Sequence, residues 1–108
     1  MADLINRRYY KSVSASSSDT DEYVIPNGKT LSLIDVGGNA GSSPDTSVVI
    51  KYWDGTNHTI IFSTHGDDSQ IMTNMDYVGN GTKSIKIVLI NDQSFADYLG
   101  AWWNGNLI

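Results

Sequence analysis

Residues 46–64 read TSVVIKYWDGTNHTIIFST, and this stretch indicates the fold class. Two runs rich in β-branched and aromatic residues, Thr46–Trp53 and His58–Thr64, flank the turn Asp54–Asn57. β-Branched side chains pack well on a pleated surface and are disfavoured in helices, and an Asp-Gly turn between two such runs is a strong hairpin signal. The stretch therefore predicts two antiparallel strands joined by a short turn.

The rest of the chain continues this pattern outward from the hairpin. Asn, Asp, Gly and Ser clusters return about every ten residues, the spacing typical of an all-β sandwich or barrel. Further strands are predicted over 8–14, 22–25, 30–36, 71–78, 84–90 and the C-terminal segment, with a long loop over 37–45. About eight strands with hairpins and one crossing loop predict a β-sandwich of jelly-roll type. An immunoglobulin-like sandwich is the alternative, but its usual cysteine pair is missing.

Alternation along two strands assigns their faces. Lys51 lies on the same face as Val49 and Trp53, and Lys86 shares a face with Val88 and Ile90. The lysines mark these as outer faces. Because both faces also carry apolar side chains, we expect something to cover them.

Composition excludes several classes of protein. The 108 residues fit one domain, and the absence of cysteine excludes disulfides and Cys-based metal sites. A net charge of −5 opposes a general role on nucleic acid or on anionic lipid. No apolar run is long enough for a signal peptide or a membrane span, so we expect a protein made in the cytoplasm, with no membrane partner.

Charge is unevenly placed along the chain. Three basic residues against Asp3 leave the first eleven residues at +2, while the remaining 97, with four Lys and eleven acidic residues, carry −7. This asymmetry predicts a basic N-terminal arm over residues 1–18 and a sandwich domain over residues 19–108. A solvated tail without a partner is the alternative reading of the same charges.

No residue is assigned a catalytic role, and no metal or cofactor is expected. The two histidines, His58 and His65, are predicted on opposite sides of one strand, where they cannot share a metal. The chain has no G-x-S-x-G nucleophile elbow. Its acidic groups, at 19–22 and 67–68, lack the pattern of a calcium loop. We therefore expect a protein that is not an enzyme.

The adjacent tryptophans are separated by the pleat of a strand. Trp103 shares its parity with Leu99 and Ala101, which predicts that it is buried, whereas Trp102 lies on the opposite face with Tyr98. An exposed Trp–Tyr pair suits either a subunit contact or stacking on a sugar ring.

Three segments carry a resemblance to a known class of proteins: EYVIPNGKTLSLIDVGG at 22–38, KYWDGTNHTIIFSTHGDD at 51–68 and LGAWW at 99–103, preceded by a short polar arm. In these segments the chain resembles small accessory virion proteins of tailed bacteriophages. These are jelly-roll proteins that decorate or cement capsids or that are located on tails. The resemblance implies a cysteine-free structural protein that is commonly trimeric and binds by an arm and a sheet edge.

The function predicted from this resemblance is that of a capsid decoration or cement subunit. It would form a homo-oligomer, expected to be a trimer, bind the major capsid protein or another virion protein, and belong to a virion assembled in the host cytoplasm. The predicted docking arm consists of Arg7, Arg8, Tyr9, Tyr10 and Lys11, and the predicted subunit interface of Trp53, Tyr98, Trp102, Leu107 and Ile108.

The alternative prediction is a carbohydrate-binding module or a tail-associated receptor-binding protein. In that alternative Trp102 is the stacking platform, and Asp67 and Asp68 accept hydrogen bonds from sugar hydroxyls.

Overall fold

A computed structural model describes residues 3–41 and 44–108, with every side chain in those ranges except those of 66–73. These residues form eight strands and no helix, and hence no helix among them is long and apolar enough to cross a membrane. The strands are β1 Asp3–Val13, β2 Ser17–Val24, β3 Thr30–Ala40, β4 Thr46–Trp53, β5 His58–Thr64, β6 Gly66–Val78, β7 Ser84–Asn91 and β8 Asp97–Leu107.

The strands form two four-stranded sheets, in the orders β1-β8-β3-β6 and β2-β7-β4-β5. Every neighbouring pair within a sheet is antiparallel. Apart from the two strands of the β4–β5 hairpin, consecutive strands always lie in different sheets, so the chain crosses repeatedly from one sheet to the other. This order is that of a jelly roll, and the predicted all-β sandwich is confirmed.

The hairpin of residues 46–64 has the bounds that its sequence predicts. Its turn begins at Asp54, whose Oδ1 accepts hydrogen bonds from the N–H groups of Thr56 and Asn57 at 2.8 and 2.7 Å. The bonds from Asn57 and Thr56 hold the pKa of the Asp54 carboxyl below its ordinary value. Gly55 follows with φ of +100°, a conformation that glycine adopts without steric cost.

The loop predicted over 37–45 begins later than its composition suggests, because β3 continues to Ala40. Gly37 and Gly38 pair with Trp102 and Ala101 of β8. A Cβ on Gly38 would lie 2.7 Å from a methyl of Val48 in the opposite sheet, so this glycine permits close packing of the two sheets. Glycine here marks a tight contact between layers, which composition alone does not distinguish from a flexible loop.

The core lies between the sheets and consists of the inward residues of both. Trp103 is fully buried, as the alternation of β8 predicts, and its indole contacts the Tyr23 ring edge-on at 5.4 Å between centroids. Leu107 shares its parity and is also buried, at 9% exposure. Leu107 was predicted at a subunit interface; it belongs to the core instead, because β8 continues as a regular strand to that residue.

The predicted N-terminal arm is not present as an arm. β1 pairs with β8 over its full length, from Asp3 opposite Leu107 to Val13 opposite Asp97. The charge asymmetry that suggested an arm is real, but charge carries no information about backbone pairing. The predicted boundary after residue 18 falls inside β2.

Candidate interaction surfaces

The residues predicted at one subunit interface lie on opposite sides of the molecule. Trp53 is on the outer face of the sheet β2-β7-β4-β5, which we call the aliphatic face. Tyr98 and Trp102 are on the outer face of the sheet β1-β8-β3-β6, which we call the aromatic face. These three side chains therefore cannot form one continuous contact. Each face has to be considered as a separate surface.

The aliphatic face has apolar side chains at its centre. Val49 of β4 lies directly opposite Val88 of β7, and Ile90 follows two residues further along β7. These three side chains are half-buried, whereas Ile60, on the adjoining edge strand β5, is 66% exposed. The outer apolar residues that alternation predicts are thus brought together across neighbouring strands.

Charged groups border these apolar residues along one row of the sheet. Lys86 lies 3.7 Å from the carboxylate of Glu22, and its ammonium is 5.2 Å from the centroid of the Trp53 ring. Lys51 is directly opposite Lys86. The imidazole of His58 stacks on Trp53 at 4.5 Å between ring centroids. Desolvation and the positive charges of Lys51 and Lys86 lower the pKa of His58, which favours its neutral form.

The aromatic face carries a row of three aromatic residues. Tyr98 and Trp102 are four residues apart on β8, and the Tyr10 ring from β1 lies between them, across Gly100. A Cβ on Gly100 would come within 2.0 Å of the Tyr10 ring, so only glycine leaves room for this arrangement. Tyr98 is 62% exposed and Trp102 is half-buried.

Polar side chains surround this row. The guanidinium of Arg8 lies 5.0 Å from the centroid of the Tyr10 ring, within cation–π range. Asn104 donates from Nδ2 to Oδ1 of Asp35 at 2.9 Å. A pocket of about 130 Å³ opens beside the Tyr10 and Tyr98 rings. Its lining residues are Tyr10, Asn39, Tyr98, Leu99 and Gly100.

Some of the residues predicted as a docking arm point toward the inside of the sandwich, and the others lie on the aromatic face. Arg7 and Lys11 have the inward parity of β1, at the open side of the sandwich next to β2. Arg7 makes a two-point ion pair with Asp21, at 2.8 and 3.2 Å, and Lys11 pairs with Asp19 at 3.3 Å. Their charges are thus used within the molecule, joining the two sheets.

The other predicted arm residues also belong to the sheet. Tyr9 packs against the core, while Arg8 and Tyr10 lie on the aromatic face. The sequence did not reveal that Tyr10 and Gly100 meet, because the two residues are 90 positions apart. The sequence carried a weak signal of this contact, namely a glycine between two aromatic residues on one predicted strand face.

The remaining predicted residues are placed as follows. Ile108 is 61% exposed, although its backbone exchanges two hydrogen bonds with Thr30. Trp102 is on the aromatic face, as the sugar-platform alternative requires, but the side chains of Asp67 and Asp68 lie outside the described residues. Within the described part of the chain, no group of three or more His, Asp or Glu side chains is placed to hold a metal ion.

A scan against protein-family models returns no match, and a search of curated proteins returns none either. Among solved structures, the chain is similar to a crystal structure of the Drosophila NLP core, described as providing insight into pentamer formation and histone binding. The two chains share 12% sequence identity, and the match covers 94% of this chain and 97% of that one. The TM-score is 0.48.

This finding corrects the function predicted from the sequence. The similar structure is described by pentamer formation and histone binding and not as a virion component, so the prediction of a phage decoration or cement protein is wrong, as is its tail-associated alternative. The docking arm on which that function relied is missing as well. The stylistic resemblance to virion proteins stays a prediction. Neither a trimer nor a capsid partner is supported by this comparison.

Proposed function

We propose that this protein is a non-catalytic module that acts by self-association through its aliphatic face. The observation that carries the proposal is the apolar cluster of Val49, Val88 and Ile90 at the centre of this face, with the exposed Ile60 on the neighbouring edge strand, opposite Lys51. Apolar patches of this kind are uncommon on monomeric proteins and are typical of protein contacts. The expectation that the protein is not an enzyme is part of the proposal and rests on the sequence alone.

The dimensions of the molecule are compatible with a stable contact through this face. The molecule measures 45 × 25 × 19 Å along its principal axes. A broad face of such a body is on the order of 1,000 Å², compared with the roughly 800 Å² per partner of a standard protein interface. One sheet face is therefore large enough to hold two copies together.

The charges on the aliphatic face favour a second copy as the occupant. Glu22 and Lys51 lie in the same row of the sheet, two strands apart. Lys51 has no ion-pair partner among the described residues. Because a two-fold contact is self-complementary, a face that carries both signs of charge can place Glu22 of one copy against Lys51 of the other.

Sedimentation of the full chain tests the proposal. The wild-type protein should sediment as an oligomer at about 100 µM, a concentration well above the Kd of a standard interface. Ile60→Lys should weaken association at least about tenfold, because it places a charge in the apolar contact. The side chain is exposed, so the fold is expected to persist, which circular dichroism checks.

Val78→Lys is the matched control. Val78 is 61% exposed and lies on β6, in the other sheet, so this substitution should leave the oligomer unchanged. A wild-type protein that remains monomeric at 100 µM, or an equal effect of the two substitutions, would contradict the proposal.

A further inference from the structure

The aromatic face carries a pocket that self-association through the opposite face leaves open. The Tyr10 and Tyr98 ring centroids are 6.4 Å apart and the rings are inclined by 36°, so the two rings pack on one another and form one aromatic wall of the pocket. Gly100 is also among the lining residues, and the Tyr10 ring occupies the space above it. An aromatic wall of this kind packs against a compact, apolar ring or an aliphatic group.

Near the pocket, a hydrogen-bond donor is available to a ligand, whereas the nearest carboxylate already accepts hydrogen bonds within the protein. Oδ1 of Asn39 accepts the N–H of Gly41 at 2.7 Å, which leaves the Asn39 amide nitrogen as a donor with no acceptor among the described residues. No carboxylate is among the lining residues. The carboxylate of Asp97, next to Tyr98 in the chain, already accepts from the Tyr98 N–H at 2.9 Å and from Gln93 Nε2 at 3.0 Å.

The presence of an available donor without a carboxylate acceptor indicates the class of ligand. A sugar presents hydroxyl groups that donate as well as accept, and it is held best where carboxylates or free carbonyl oxygens accept from it. A prolyl segment has no N–H groups and presents only carbonyl oxygens and pyrrolidine rings. The Asn39 donor and the aromatic rings of this pocket match the carbonyl oxygens and the pyrrolidine rings of the prolyl segment.

The length of the aromatic row also fits an extended prolyl segment. Tyr98 and Trp102 are four residues apart on β8, a separation of about 13 Å along a strand. A polyproline II helix rises about 3.1 Å per residue, so about four of its residues span the row. Aromatic grooves of this kind are one of the recurring ways in which proteins bind proline-rich peptides.

We infer that the aromatic face binds a proline-rich segment of a partner protein, held in the polyproline II conformation. Prolines pack in the pocket against the Tyr10 and Tyr98 rings, the indole of Trp102 contacts the other end of the segment, and Asn39 donates to a backbone carbonyl. Because the polyproline II conformation is already populated in the free peptide, little ordering opposes binding.

Titration of the ¹⁵N-labelled full chain with a synthetic decaproline peptide tests this inference. The expected result is a set of saturable chemical-shift changes centred on the Gly100 amide and the Trp102 indole N–H. Tyr98→Ala should weaken peptide binding at least about tenfold, because it removes one of the two rings of the aromatic wall. Tyr98→Phe keeps the ring and should retain most of the affinity. Tyr98 is exposed, so neither substitution is expected to unfold the chain.

Two controls make the outcome decisive. Ile60→Lys, on the aliphatic face, should leave peptide binding unchanged, so the inference stands or fails independently of the proposed self-association. Cellohexaose serves as the sugar probe. The inference is overturned if decaproline produces no shifts at millimolar concentration, if Tyr98→Ala binds as well as the wild type, or if cellohexaose binds at this face and decaproline does not.

Discussion

Gly100 shows how a single residue without a side chain determines a surface. The Tyr10 ring crosses β8 directly above it, and a Cβ at this position would overlap ring atoms at 2.0 to 2.4 Å. The ring in turn lies under the Arg8 guanidinium and beside Tyr98. The shape of the aromatic face therefore depends on a hydrogen atom at residue 100.

Gly100→Ala is expected to destabilise the protein by about 1–3 kcal/mol, since the Tyr10 ring must leave its position. In a Tyr10→Ala background the same substitution should cost much less, because the overlapping atoms are absent. Urea unfolding of the four proteins of this cycle measures the coupling between the two positions.

Gly105→Ala is the matched control for this cycle. Its Cβ would lie 2.9 Å from the Ser32 carbonyl oxygen and from a Leu31 methyl, neither of which Tyr10→Ala removes. Gly105→Ala should therefore destabilise both backgrounds equally. Additive effects of Gly100→Ala and Tyr10→Ala would show that the ring does not occupy this position in solution.

At the scale of the strand, β1 is an edge strand held in two ways. Its backbone pairs with β8, and two of its inward side chains form ion pairs with β2 in the other sheet. Arg7 also lies 5.7 Å from the centroid of the Tyr23 ring. Burial is the main cause that raises the Tyr23 pKa, and the positive charge of Arg7 opposes that rise. At this open side the aliphatic packing of the core ends, and ion pairs between β1 and β2 close the sandwich there.

A double-mutant cycle of Arg7→Gln and Asp21→Asn should give a coupling energy of about 0.5–1 kcal/mol, a value already reduced for partial solvent exposure. The reason is the two-point geometry of the pair, whose side chains are 35% and 21% exposed. Chemical denaturation of the four proteins provides the measurement.

The pair between Lys11 and Asp19 is the internal comparison. It has a single contact at 3.3 Å and side chains that are 42% and 33% exposed, so its coupling energy should be smaller. Equal couplings would mean that the closure of β1 against β2 does not depend on the geometry of the Arg7 pair.

At the scale of the whole molecule, the charge of −5 opposes the proposed self-association. Two copies repel one another over a distance that salt controls, since the Debye length falls from about 10 Å at 0.1 M to about 3 Å at 1 M ionic strength. Apolar contact is not weakened by this screening. We therefore expect association to become severalfold tighter as NaCl rises over that range, measured by sedimentation equilibrium.

The opposite salt dependence would be informative as well. If association weakened with salt, ion pairs such as Glu22 with Lys51 of a second copy would dominate the contact, and the apolar residues would not be its main source of stability. Ile60→Lys and Glu22→Gln, compared at both salt concentrations, separate the two contributions.

The sequence alone determined the local structure of this protein. The hairpin at 46–64, the burial of Trp103 and the outward position of Trp102 follow from turn chemistry and from the two-residue repeat of a strand, which are properties of neighbouring residues. The outer positions of Val49, Trp53, Val88 and Ile90 follow in the same way. These predictions needed no knowledge of which strands are neighbours.

Only the tertiary structure decided what lies beside what. The alternation of β1 does not reveal that it pairs with β8, nor that Arg7 faces Asp21 across the open side of the sandwich. The same holds for the Tyr10 ring over Gly100, and for Trp53 and Trp102 on opposite faces. The physical reason is that strand order results from burial and hydrogen bonding between residues far apart in the chain, whereas a local repeat specifies only which way each side chain points.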